Sequence, residues 1–143
     1  RPGETAVLAD TPLGKIGMTI CYDVRFAKLY RSLAQAGAEI LTVPAAFTKV
    51  TGEAHWHTLL TARAIETGCY VIAPAQGGKH EDGRQTYGHG LIISPWGEVL
   101  ADSRSDEPGI VYAEIDLTQV NEARRRIPSL GLDAEMTVKK IGA

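Results

Sequence analysis

Apolar and polar positions change period several times along this chain, and each change marks an element. Residues 5–10 alternate around Val7 and Leu8, a period of two that predicts a strand. Thr11-Pro12-Leu13-Gly14 carries turn chemistry, and residues 15–20 then predict the return strand of a hairpin. Over residues 27–36 the apolar positions Leu29, Leu33 and Ala36 recur at helical spacing, with Gly37 placed to end the helix. Residues 39–43 form a short apolar strand closed by Pro44. This β-α-β order predicts adjacent parallel strands joined by a crossover helix.

Residues 45–52 read as a loop. Residues 53–67 carry the strongest helical signal, with Trp56, Leu59, Leu60, Ala64 and Ile65 falling towards one face and Gly68 at the end. A strand is expected over residues 69–75, then a polar, glycine-rich loop over 76–86. Further strands are expected at 90–94 and 98–101, around the tight turn Pro95-Trp96-Gly97, and at 109–115. Asp116 or Thr118 can cap a last helix that runs to about Arg126 and stops before Pro128. No repeat, linker or low-complexity stretch interrupts the pattern. The expectation is one α/β domain over residues 1–143, with its core in about 2–128 and a tail at 129–143.

With 143 residues the chain has the size of a single domain able to bury a core. A formal net charge of −2 gives no electrostatic case for nucleic acid or an anionic membrane as partner. No apolar run approaches the roughly 18 residues of a membrane-spanning helix, and the opening residues are not expected to be a signal peptide. Two cysteines, Cys21 and Cys69, make no disulfide framework, so a reducing, cytoplasmic setting is the expectation. The opening Arg1-Pro2-Gly3-Glu4 reads as a turn within a longer protein.

Cys21 carries the chemistry. It stands where an apolar strand delivers a thiol to a turn followed by a helix. Such a turn exposes the sulfur, the helix start favours thiolate, and nearby backbone N–H groups can hold an oxyanion. The alternative is a buried core cysteine. Tyr22 offers its backbone N–H, and Asp23 reads as the cap of the helix start, with a proton-transfer role as the alternative. Arg25, one turn past the thiol, can bind a carboxylate bidentately or form a structural ion pair. Phe47 and Thr51 lie in a loop that opens at the same carboxyl edge of the sheet.

The remaining candidates read as structural. His55 and His57 point to different helix faces and have no third ligand nearby at suitable spacing, which disfavours a shared metal; His55 and Trp56 read as packing or subunit contacts. Arg63 and Glu66 form an i,i+3 pair expected to be solvated. Cys69 heads an apolar strand and is expected in the core. His89 reads either as the base of a Cys–His dyad or as a structural histidine. Arg124-Arg125-Arg126 forms a short basic face that needs no ligand.

The segment Gly17-Met18-Thr19-Ile20-Cys21-Tyr22-Asp23-Val24-Arg25-Phe26 resembles the nucleophile motif of the nitrilase superfamily, the carbon–nitrogen hydrolases. Pro44-Ala45-Ala46-Phe47, Thr51-Gly52, His55-Trp56, Arg63-Ala64-Ile65-Glu66-Thr67, Tyr87-Gly88-His89 and Ser94-Pro95-Trp96-Gly97 follow in the same order. The resemblance implies part of a four-layer α-β-β-α sandwich, the C-terminal portion, that pairs with a second copy through a helical face. It implies a small-molecule amide substrate, attack by Cys21, a thioester, ammonia release and no cofactor or metal. Residues 46–56 and Gln76-x-Gly78 look most like the branch acting on deaminated glutathione and related ω-amides, and Arg25 then meets a substrate carboxylate. The family's glutamate base and its lysine lie upstream of the cysteine motif, and Glu4 and Lys15 do not match them. Two further readings follow. One is a non-catalytic piece that serves in assembly and exposes an apolar sheet face. The other is an unrelated hydrolase using Cys21 and His89.

Overall fold

A computed structural model describes residues 3–105 and 107–142. Its centre is a six-stranded mixed sheet in the order β1-β2-β3-β4-β7-β8. The antiparallel hairpin β1 (Val7–Thr11) and β2 (Gly14–Met18) forms one side. β2, β3 (Ile40–Thr42) and β4 (Tyr70–Ala73) run parallel. Two antiparallel strands, β7 (Leu91–Ile93) and β8 (Val99–Asp102), complete the sheet. Helix α1 (Ala27–Gln35) connects β2 to β3. The next crossover contains α2 (Lys49–Thr51), a π-type turn (Gly52–Trp56) and α3 (His57–Thr67).

Period-two alternation sorts side chains onto the two faces. Gly17, Leu41, Val71 and Ile93 stand in register across four strands and face α1 and α3 in the main core. A Cβ on Gly17 would lie 2.9 Å from Leu41 and 3.3 Å from Leu33, so the missing side chain lets α1 pack closely on the sheet. On the other face Ile16, Ile40 and Tyr70 form a row beneath Val120 of α4 (Thr118–Arg126). Asp116 accepts bonds from the Thr118 N–H at 2.9 Å and its hydroxyl at 2.7 Å, so the aspartate is the cap.

Three stretches differ from the sequence expectation. Helical structure begins at Lys49 inside the expected loop, because Gly52 packs against Tyr87 rather than breaking the helix. A Cβ there would meet that of Tyr87 at 2.2 Å. The expected loop at 76–86 holds a hairpin, β5 (Gly77–Lys79) with β6 (Gln85–Tyr87), built by backbone pairing without an apolar alternation. Residues 109–115 form no strand. The sheet ends on β8, and Ile110 and Tyr112 stand 77% and 81% exposed with no neighbouring strand among the described residues to pair with.

Candidate active site

Parallel strands bring the ends of β2, β3 and β4 to one edge of the sheet. The backbone ladder runs on past them: Cys21 N–H donates to Pro44 at 2.9 Å, Ala45 N–H to Pro74 at 3.0 Å, and Gln76 N–H to Ala45 at 2.9 Å. The three loops enclose an open pocket of about 540 Å³, with Ile20, Cys21, Pro44, Ala46, Pro74 and Gln76 in its wall. Ligand sites in open α/β sheets form at this carboxyl edge. The expected strand-to-helix turn at Cys21 is present as a 3-10 turn, Cys21–Arg25, running into α1.

Cys21 is half-buried and holds φ +48°, a left-handed conformation rare for a residue with a side chain. Asp23 accepts a bond from the Ile20 N–H at 2.9 Å and closes the turn, as its capping reading expects. Before the turn, the Thr19 hydroxyl donates to Thr42 at 2.8 Å and meets the Tyr30 hydroxyl at 2.5 Å. Burial pushes the Tyr30 hydroxyl up to about 12, so it remains a donor. Sequence reasoning missed both residues. The sole signal was a tyrosine one helical turn from Phe26.

Arg63 departs from its expectation as a solvated partner of Glu66. It is 5% exposed, donates to the Val24 carbonyl in the Cys21 turn at 2.9 Å, and lies 5.7 Å from the Tyr30 ring centroid. Glu66 still bonds it. The helix face that carries Arg63 packs on the Cys21 turn rather than on solvent, which spacing within one helix cannot reveal.

The Arg25 guanidinium lies 5.5 Å from the Tyr22 ring centroid and 5.3 Å from that of Phe47, and its tip is 3.4 Å from His55 Nδ1. Among the described residues no carboxylate lies within ion-pair range of Arg25. Phe47 is buried against Trp56, with ring centroids 4.8 Å apart. The Tyr22 ring is exposed and lies tilted against Phe26, with centroids 5.7 Å apart, while its N–H is one of the donors that a helical start leaves without an internal partner. The structure thus groups Tyr22, Arg25, Phe47 and His55. Thr51 is not drawn into that group; its hydroxyl meets Thr48 Oγ1 at 2.8 Å.

His89 is absent from the pocket wall. Its Nδ1 bonds Asp102 Oδ1 at 3.0 Å, while His57 Nε2 bonds the other carboxylate oxygen at 3.1 Å. A Cys21–His89 dyad therefore has no support in the geometry. Burial opposes ionisation of Asp102, but the Arg104 N–H and the two imidazoles outweigh it and hold the carboxyl below its usual value. Cys69 is buried as expected; burial pushes its thiol up, and it donates to the Ala38 carbonyl at 3.2 Å. Lys15 is exposed near the start of β2, the far end of that strand from Cys21. Among the described residues no helix is long and apolar enough to cross a membrane.

The fold and the site place the chain among α/β proteins that carry a candidate site in loops at the carboxyl edge of a mixed sheet. Residues 1–125 match the carbon-nitrogen hydrolase family model. The chain belongs to the carbon–nitrogen hydrolase family. It is 55% identical over 118 residues to the human deaminated glutathione amidase, covering 82% of this chain and 36% of that protein. The NitFhit protein of C. elegans superposes with a TM-score of 0.87 at 46% identity, over 92% of this chain and 32% of that one. A mutant of the amidase from Nesterenkonia sp. AN1, in which acrylamide has added at the active-site cysteine, gives 0.72 at 26% identity, over 92% and 51%. The chain thus spans about a third to a half of the length of these relatives.

Proposed function

We propose that Cys21 is the nucleophile of an amidase that acts on ω-amides bearing a distant carboxylate. The observation that carries this reading is the thiol held at φ +48° at the carboxyl edge of three parallel strands, over an open pocket. Sγ attacks the amide carbonyl carbon and the C=O electron pair moves to oxygen. The Tyr22 N–H donates to that oxygen at the mouth of the turn. Collapse breaks the C–N bond, the proton lost by the thiol leaves with the nitrogen as ammonia, and a thioester remains on Cys21. Water then cleaves the thioester to acid and restores the thiol. The family's glutamate and lysine, which the resemblance places upstream of this segment, carry the proton and assist the oxyanion.

Arg25 receives the substrate carboxylate in this reading. It has no carboxylate partner among the described residues, and the rings of Tyr22 and Phe47 hold its planar fork. Phe47 walls that end of the site, and Thr51 is assigned to its rim. The human relative's name, deaminated glutathione amidase, supports the substrate class, and the Nesterenkonia adduct supports a cysteine nucleophile. Pairing with a second copy through a helical face belongs to the same proposal.

The test is ammonia release from a five-carbon ω-amide acid and from the matching amide without the carboxylate. The chain is assayed alone and with a segment that supplies the family's glutamate and lysine. Release that favours the carboxylate substrate, falls about a thousandfold in Cys21→Ala, and loses its preference in Arg25→Met is expected. Release that persists in Cys21→Ala overturns the reading. A second reading, that the chain is inactive without the upstream half, is favoured by the position of Lys15 far from Cys21. Activity appearing in the supplemented sample alone is its expected outcome.

A further inference from the structure

We propose that His57, His89 and Asp102 form a binding site for a divalent transition-metal ion, of the kind represented by zinc, cobalt or nickel. The site is distinct from the thiol pocket, since none of the three residues lies in that pocket's wall, and it stands whether or not the amidase reading holds. The three residues come from separate elements. His57 is the first residue of α3, His89 precedes β7, and Asp102 ends β8. Sequence separations of 32 and 13 residues hide this grouping from any local ligand spacing.

Donor geometry carries the inference. One candidate ligand atom from each residue lies within 4.8 Å of the others, and the two imidazole nitrogens stand 3.0 and 3.1 Å from the carboxylate oxygens. Ligands bound to zinc-like ions at about 2.1 Å stand about 3 to 3.5 Å apart, so the two nitrogen–oxygen pairs already have that spacing, and binding draws the trio, now spread over as much as 4.8 Å, together around the ion. Two imidazoles and one carboxylate favour borderline ions over calcium or magnesium, which take oxygen ligands. Three protein ligands leave open positions for water.

The surroundings are suited to hold such a site. The side chains of His57, His89 and Asp102 are 36%, 25% and 15% exposed, so an ion can enter. The His89 loop is fixed from behind, because the Trp56 indole N–H donates to the His89 carbonyl at 2.8 Å. The His89 ring stacks on Tyr87 with centroids 4.3 Å apart. His89 also holds φ +55°, a strained conformation that aims its ring at Asp102. Neutral imidazoles need not lose a proton on binding. The ring N–H now shared with Asp102 is replaced by the tautomer protonated on the other nitrogen, which frees the facing lone pair.

An ion there ties the start of α3 to the end of β8 and to the loop before β7. Cobalt(II) titration of the full chain in a Cys21→Ala background, which removes the accessible thiol, reads the site by visible absorption and by thermal unfolding. We expect one cobalt per chain and a Tm that rises with cobalt concentration. Asp102→Asn and His57→Ala, which alter different elements, each weaken binding by about tenfold or more. His80→Ala, outside the trio, leaves it unchanged. Circular dichroism of each variant reports folding independently. Absence of saturable binding overturns the proposal. So does a site that persists at full affinity in Asp102→Asn or in His57→Ala, or one that is lost in His80→Ala.

Discussion

Cys21 and His89, the residues on which the two proposals rest, each carry a local backbone cost. Both hold positive φ, near +50°, although neither is glycine. A left-handed L-residue costs about 1 to 2 kcal/mol, which the surrounding bonds must outweigh. At Cys21 those bonds are the Pro44 carbonyl, the Asp23 cap and, behind the turn, Arg63 on Val24. Arg63→Met leaves the Val24 carbonyl without its charged donor and is expected to destabilise the chain by about 1.5 to 3 kcal/mol. Urea unfolding measures it, and Arg63→Lys recovers part of the loss. The sequence pointed to Cys21 through its place between a strand and a helix. It could not point to Arg63, because burial depends on which elements pack against a helix face rather than on i,i+3 spacing.

At the scale of elements, strands and helices with clear apolar periods were legible, and elements built by backbone pairing or close contact were not. β2, α1, β3, β4 and α4 lie within a few residues of their expected bounds. The β5–β6 hairpin is polar and rich in glycine, so no alternation announces it. Residues 109–115 have strand-like composition, and composition alone does not provide a partner. α4 shows an element set by one side chain. The hydroxyl and N–H of Thr118 bond Asp116 and hold its carboxyl below the usual value of 3.8. A folded-state pKa below the unfolded one contributes stability above the unfolded pKa, and this is lost as pH falls through the folded pKa. Urea unfolding of wild type and Asp116→Ala should therefore differ at pH 7, and the difference should shrink as pH drops below about 3.8. A difference that is constant with pH would show that the cap does not depend on the charge.

For the whole molecule, the α/β class and the parallel centre were readable because β-α-β order allows few arrangements. The meeting of three distant residues at Asp102 was not, because it depends on how loops return to the sheet. Large apolar residues, among them Met18, Ile20, Ile110 and Tyr112, are exposed in this chain, which spans about a third to a half of its relatives' length. The amidase account asks more of the molecule than these surfaces do. It requires a covalent acyl group on Cys21 between loss of ammonia and entry of water. Hydroxylamine competition tests that step most directly, in the sample supplied with the family's glutamate and lysine. A thioester partitions between water and hydroxylamine, so the account predicts hydroxamate formed at the expense of acid, and none with Cys21→Ala. Acid as the sole product at saturating hydroxylamine, with ammonia still released, would contradict it.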